Sequence, residues 1–142
     1  MAADAAGERM PPSLAVLLVD DHAGVVNALV RQFRRHPWLH VVASAGNGQE
    51  ALRAVRLLAP DVVLMDLAMP GMDGLQATRL IKSLPDPPRV ILASHFDDAV
   101  HREYARQAGA DAFVGKLDYL QEVLPLLAGF ARMPAGAAQP PP

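Results

Sequence analysis

Five short apolar runs, most of them unbroken rather than alternating, constrain this chain more than any other feature. They are Leu14–Val19 (LAVLLV), His40–Ala45 (HVVASA), Asp61–Met65 (DVVLM), Arg89–Ala93 (RVILA) and Ala112–Gly115 (AFVG). Continuous hydrophobicity is what a strand covered on both faces requires, whereas a strand with one wet face alternates. Between the runs lie stretches of helical period. Val25, Val26, Leu29, Val30 and Phe33 form one stripe, ended by His36-Pro37; Ala51, Leu52, Val55 and Leu58 form a second, stopped before Pro60; Leu75, Thr78, Ile81 and Leu84 form a third. Asp97 to Ala108 is weaker, but has Asp at its start and Gly109 after its end, as helix caps require. Leu120, Val123, Leu124 and Leu127 make the last. Five strands alternating with five helices predict an α/β, three-layer, doubly wound domain: a parallel sheet with helices on both faces, joined by right-handed crossovers. Pro125 falls inside the last pattern, where it costs about 3 kcal/mol outside a first turn, so a kink or a late helix start is predicted there.

A length of 142 residues suits one domain, and 51% hydrophobic residues exclude a disordered chain. The ends differ from the middle. Residues 1–13 and 132–142 are rich in Ala, Gly and Pro and are expected to be flexible, the second as a tail or a linker, leaving 14–131 as the domain. A net charge of −2 argues against direct nucleic-acid binding through bulk charge. The absence of Cys removes disulfides, thiolate metal sites and Cys nucleophiles. No apolar run is long enough to span a bilayer, and residues 1–13 lack a signal-peptide core, so a cytoplasmic protein with no membrane partner is expected.

Function enters through the polar residues that end the runs. The first ends in Asp20-Asp21, the third in Asp66, the fourth in Ser94 and the fifth in Lys116. In an open parallel sheet these carboxyl ends share one edge, where ligands bind; with strand order 2-1-3-4-5 the reversal falls between the strands that carry the three acids. Three crowded carboxylates raise one another's pKa values unless cations compensate. Lys116 supplies one positive charge, and an oxygen-rich site suits Mg²⁺ for the rest. Such a set is equipment for phosphoryl transfer, which depends on positioning and charge neutralisation. Singly, each residue has a plainer explanation: Asp21 as an N-cap, Lys116 as a solvated loop residue, Ser94 as a turn residue. Their joint placement at four strand ends outweighs these.

The segments LLVDDH (Leu17–His22), DVVLMDLAMPGMDGL (Asp61–Leu75), VILAS (Val90–Ser94) and GADAFVGK (Gly109–Lys116) resemble the receiver domain of two-component response regulators. The resemblance implies a (βα)5 flavodoxin-like fold and a phosphoryl group accepted on Asp66 from a histidine kinase or phosphotransfer protein. It implies Mg²⁺ held by Asp20, Asp21, Asp66 and the backbone carbonyl of Ala68. Lys116 would pair with the phosphoryl oxygens, Ser94 would donate to one of them, and Phe113 would be the aromatic that rotates on activation. Partner binding or homodimerisation is implied for the face built from the fourth helix, fifth strand and fifth helix. The implied protein is a signalling switch, not an enzyme acting on an external substrate.

Some residues depart from the common receiver pattern. His95 stands where a small residue is usual; it is either a solvent-facing loop residue or a modulator that covers Asp66 and slows hydrolysis. Ala68 replaces a frequent polar residue. Leu117 replaces the Pro that often follows the Lys, so no cis peptide is expected there. With Asp20-Asp21-His22, this favours the receivers of LuxR/NarL-type regulators, normally fused to a helix-turn-helix module, so the chain is a stand-alone receiver or the receiver fragment of a DNA-binding transcriptional regulator. Arg31, Arg34 and Arg35 suit a helix C-terminus, with kinase docking as the functional alternative. His22, His36, His40 and His101 show no ligand spacing. A Mg²⁺-dependent phosphohydrolase is the alternative of another class, although its usual Asp-x-Asp motif is replaced here by adjacent acids. A receiver that binds partners without phosphorylation and a flavin carrier fit less well, the latter for want of a phosphate loop after the first strand.

Overall fold

The computed structural model describes residues 13–132. The flexible segments expected at 1–13 and 132–142 lie, apart from Ser13 and Arg132, outside the described residues. Strands β1 (Leu14–Val19), β2 (Leu39–Ala45), β3 (Val62–Asp66), β4 (Arg89–Ser94) and β5 (Ala112–Gly115) alternate with helices α1 (Ala23–Phe33), α2 (Gly48–Leu58), α3 (Gly74–Lys82), α4 (Ala99–Ala108) and α5 (Tyr119–Arg132). All strand pairs are parallel, in the order β2-β1-β3-β4-β5. The doubly wound flavodoxin-like architecture anticipated from the alternation is the one observed.

The unbroken apolar runs are explained by two cores, one on each side of the sheet. Val16 and Leu18 of β1, Val62 and Leu64 of β3, and Ile91 and Ala93 of β4 pack against Leu29 and Phe33 of α1 and Val123, Leu127 and Phe130 of α5. The alternate residues Leu17, Val19, Val63, Met65, Val90 and Leu92 pack against Ala51 and Val55 of α2, Ala77 and Ile81 of α3, and Ala105 of α4. Burying a strand side chain of this size contributes about 1.5–3 kcal/mol, so both faces of β1, β3 and β4 must be apolar.

The edge strand β2 departs from that pattern, with exposed residues interleaved among buried ones. Its register against β1 shifts between Val16 and Leu17, so that Val16 pairs with Val41 but Leu17 pairs with Ala43. Val42 is the extra residue of a β-bulge. Leu39 and Val41, before the bulge, pack in the core under α1, whereas Ala43 and Ala45, beyond it, pack in the other core.

Helix starts follow local capping chemistry. Asn47, Asp73 and Asp98 accept backbone hydrogen bonds from Glu50, Gln76 and His101 at 2.9, 2.8 and 2.8 Å. Gly109 closes α4 at φ 95°, a left-handed conformation that glycine adopts without cost. The expected late start at Pro125 is not found: α5 begins at Tyr119 and carries Pro125 in its interior. Pro125 and Gln121, whose carbonyl loses its helical donor, are both exposed, which sets that oxygen on the side of α5 open to solvent. Val123, Leu127 and Phe130 remain buried on the opposite stripe and offset the proline's cost. Among the described residues no helix is long and apolar enough to cross a membrane, and no peptide bond is cis.

Candidate functional site

The polar strand ends meet as the topology requires. Asp20 follows β1, Asp66 ends β3, Ser94 ends β4, and Lys116 opens a 3-10 turn (Lys116–Asp118) between β5 and α5. Lys116 Nζ lies 2.8 Å from Asp20 Oδ2 and 3.0 Å from Asp66 Oδ1. The side chains of Lys116, Asp20 and Asp66 are at most 4% exposed, so the ammonium is a buried bridge and not a solvated loop charge.

Asp21 does not cap α1. The N-cap is His22, without a side-chain cap bond, while its Nδ1 lies 3.1 Å from Asp20 Oδ1 and 3.2 Å from Asp21 Oδ1. The His22 backbone N–H also donates to Asp20 Oδ1 at 2.9 Å. One ligand atom each from Asp20, Asp21, His22 and Asp66 lie within 4.8 Å of one another. His22, which shows no ligand spacing in the sequence, reaches this cluster through its adjacency to the acid pair at the start of α1.

The charges are unequally shared. Burial pushes the Asp20 carboxyl up, but hydrogen bonds from Lys116 and the His22 N–H outweigh it and hold the group below the usual value. At Asp66 burial wins over Lys116, helped by repulsion from Asp20, and the carboxyl is raised. Lys116 is raised, because its two carboxylate partners overcome the cost of burying the ammonium. The Lys116–Asp20 contact is the shorter of the two, in keeping with Asp66 being the group left short of positive charge.

Around this centre, Ser94 is buried and its Oγ accepts the Phe96 N–H at 2.9 Å, which leaves its hydroxyl proton free to donate. The Ala68 N–H approaches Asp66 Oδ1 at 3.4 Å, placing Ala68 at the mouth of the same carboxylate. Gly74 opens α3 against the back of the site: a Cβ there would lie 2.3 Å from the Asp66 carbonyl oxygen and 2.8 Å from Leu67 Cα, so only glycine fits. His95 is exposed at the start of the β4–α4 loop. Phe113 is half-buried on β5, with the Arg102 guanidinium 4.9 Å above its ring. Tyr119 was not singled out by sequence reasoning; its ring lies 6.0 Å from Lys116 Nζ, and burial, together with the charges of Asp20 and Asp66, pushes its hydroxyl up. A separate groove of about 400 Å³ between α1 and β2, lined in part by Phe33, Arg34 and Leu39, contains none of these groups.

Three carboxylates against one ammonium leave an excess of negative charge, while the raised pKa of Asp66 comes first from burial, with repulsion from Asp20 adding to it. That imbalance and the oxygen-rich donor set fit a hard divalent cation such as Mg²⁺. Asp20, Asp21 and Asp66 could hold it, beside a nucleophilic carboxylate oxygen, a hydroxyl donor and an ammonium.

Fold and site together define a doubly wound α/β domain with an acidic pocket at its topological switch point. Residues 16–125 match the family model for the response regulator receiver domain. The transcriptional regulatory protein LiaR of Bacillus subtilis is 43% identical over 86 residues, covering 60% of this chain and 41% of that protein. A protein-glutamate methylesterase/protein-glutamine glutaminase of Hahella chejuensis is 41% identical over 97 residues, covering 67% of this chain and 28% of the other. A two-component response regulator of the LuxR family from Aurantimonas sp. SI85-9A1 superposes with a TM-score of 0.74 at 34% identity, covering 82% of this chain and 86% of that one. The chain belongs to the response regulator receiver domain family of two-component signalling. It spans about half the length of the curated relatives it matches.

Proposed function

We propose that this chain is a phosphorylation-dependent switch with Asp66 as its acceptor. The observation that carries the reading is the buried Lys116 ammonium, shared between Asp20 and Asp66 at 2.8 and 3.0 Å. An Asp66 carboxylate oxygen attacks the phosphorus of a phosphoimidazole on a histidine kinase or phosphotransfer protein. A P–O bond forms, the P–N bond breaks, and the imidazole nitrogen keeps the electron pair and takes up a proton. Asp20, Asp21, Asp66 and the carbonyl of Ala68 are the proposed Mg²⁺ ligands. When bound, the ion neutralises charge on the transferred oxygens. Lys116 holds one of those oxygens and the Ser94 hydroxyl donates to another.

Phosphorylation adds about −1.5 to −2 charge and three strong acceptors, to which Ser94 and Lys116 respond by moving the ends of β4 and β5. Phe113 lies on β5 between them and α4, which makes it the proposed carrier of that movement. Exposed Phe96, Val100 and Tyr104 on and just before α4 support a partner or homodimer surface formed by α4, β5 and α5. His95, next to Ser94 and exposed, is proposed to shield the phosphoryl group from water. The likeness to the transcriptional regulatory protein LiaR supports a place in transcriptional regulation, as the receiver portion of a longer regulator; the chain's net charge of −2 speaks against direct nucleic-acid contact, and a cytoplasmic setting is part of the proposal.

The test is intact-mass detection of a phosphoryl adduct formed with a small-molecule phosphodonor, with and without Mg²⁺, on wild type and Asp66→Asn. A single Mg²⁺-dependent adduct lost in the variant is expected. No adduct on folded protein with Mg²⁺ present would overturn the reading, and sustained phosphate release from small phosphoesters would favour a phosphohydrolase instead.

A further inference from the structure

We propose that the Asp97–Arg102 ion pair is a positioning clamp that holds the loop carrying Ser94 away from Asp66 and so sets how readily the site takes a phosphoryl group; this rests on the reading of Asp66 as acceptor. Asp97 lies three residues beyond Ser94, and Arg102 lies in the first turns of α4. Arg102 Nε donates to Asp97 Oδ1 at 2.6 Å, and the guanidinium sits over the Phe113 ring of β5 at 4.9 Å. The other Asp97 oxygen rests against Gly115, where an added Cβ would lie 3.0 Å from it. The hydrogen bond that Arg102 donates to Asp97 and the charges of Asp97 and of Glu122 on α5 favour the charged guanidinium. Glu122 in turn accepts the Gly115 N–H at 3.4 Å. The Asp97 carboxylate is thus a wedge between the Ser94 loop and the residue immediately before Lys116.

That position gives the pair leverage over the chemistry. Phosphoryl oxygens on Asp66 attract the Ser94 hydroxyl from one side and the Lys116 ammonium from the other. Drawing both inward closes the space that Asp97 occupies, so its carboxylate must shift and either the ion pair or the contact with Phe113 must yield. The loop cannot absorb this alone. The Phe96 N–H is bonded to Ser94 Oγ at 2.9 Å, the Phe96 ring stacks on His101 at 5.2 Å, and Asp98 accepts the His101 N–H at 2.8 Å. Loop and helix therefore move together, against the clamp. An interaction present only in the resting arrangement lowers the apparent affinity for whatever favours the other arrangement.

The experiment titrates the full chain with beryllium fluoride, a phosphoryl mimic, at saturating Mg²⁺, following backbone amide NMR shifts. Wild type binds saturably and Asp66→Asn does not; no binding by wild type would overturn the acceptor reading and the clamp together. Arg102→Ala and Asp97→Asn each bind about 3- to 10-fold more tightly, the range a half-exposed ion pair and a cation–π contact supply. The double variant gains no more than about twofold over either single, because both remove one interaction. Arg102→Lys, which keeps the charge but not the planar face, falls between wild type and Arg102→Ala. Arg106→Ala, which breaks only an exposed pair with Glu103, leaves the affinity unchanged. Unchanged or weaker binding by Arg102→Ala, or additive effects in the double variant, overturns the clamp with the acceptor reading intact. Should Arg102→Ala fail to fold, Arg102→Lys and Asp97→Asn decide the matter on the same scale.

Discussion

Replacing Lys116 by Met keeps most of the side-chain volume and removes the ammonium that bridges Asp20 and Asp66 at 2.8 and 3.0 Å. Both carboxylates then remain at most 4% exposed with no buried cation beside them. Breaking a buried pair by deleting one partner costs about 3–5 kcal/mol, because the orphaned charge keeps its desolvation penalty. Protonation sets a ceiling: moving one carboxyl from its ordinary range to neutrality costs about 4 kcal/mol, after which it binds a proton instead. A loss of about 3–4 kcal/mol is therefore expected at pH 7, read from urea unfolding at unchanged m-value. The pH dependence has a definite sign. In the variant the folded carboxyls bind protons more tightly than the unfolded ones, so its stability rises as pH falls from 7 toward 5, by up to about 1.4 kcal/mol per unit for each group titrating. In the wild type, depressed Asp20 contributes stability that is present above the usual carboxylate range and is lost as pH falls through its lowered value. The two curves converge on acidification. Mg²⁺ at a hundredfold excess over its dissociation constant returns about 2.7 kcal/mol. A loss under about 1 kcal/mol, or one that does not change between pH 7 and pH 5, would refute this account of Lys116.

Asp66→Asn removes a carboxyl that burial holds above its ordinary value; such a group loses stability as pH rises through the window above that value, so the variant is expected to be neutral or about 1 kcal/mol more stable at pH 7 by urea unfolding, and a clear destabilisation would contradict it. Gly74→Ala drives a Cβ into the Asp66 carbonyl oxygen at 2.3 Å. About 3 kcal/mol of thermal stability and the Mg²⁺ response should be lost together, and an unperturbed variant would show that the α3 start shifts freely. Pro125→Ala restores a donor for the Gln121 carbonyl and should stabilise by about 1–3 kcal/mol; a lower melting temperature would mean that α5 depends on the proline.

Sheet and helices were legible because periodicity is a local property. Unbroken runs marked β1, β3 and β4, whose two faces both meet helices, and the acids, Ser94 and Lys116 were recognisable because each stands where such a run stops. What escaped notice depends on contacts between distant segments. Asp97 reads in the sequence as the start of the fourth helix, whose cap is Asp98 instead. Its pairing with Arg102 over Phe113 shows only when α4 is laid against β5, and Tyr119 becomes a neighbour of Lys116 only through the intervening 3-10 turn. The late start expected at Pro125 fails for a related reason: the proline's local cost is visible in the sequence, whereas the burial of Val123, Leu127 and Phe130 that offsets it belongs to the assembled core.

The bulge at Val42 makes β2 a strand of changed parity. Counting by twos from Leu39 stays on the α1 side as far as Val41, and the same count resumed at Ala43 and Ala45 belongs to the other side. One surplus residue thus reverses which side of the sheet the odd-numbered residues of β2 serve. The chain on either side of it carries opposite reading frames for hydrophobicity. Removing Val42 would set Val41 beside Ala43 in simple alternation and keep each on its present side, whereas retaining Val42 without the bulge would turn one half of the strand inside out. Position 42 is therefore expected to tolerate deletion as well as substitution, because the bulge sets whatever stands there outside the alternation.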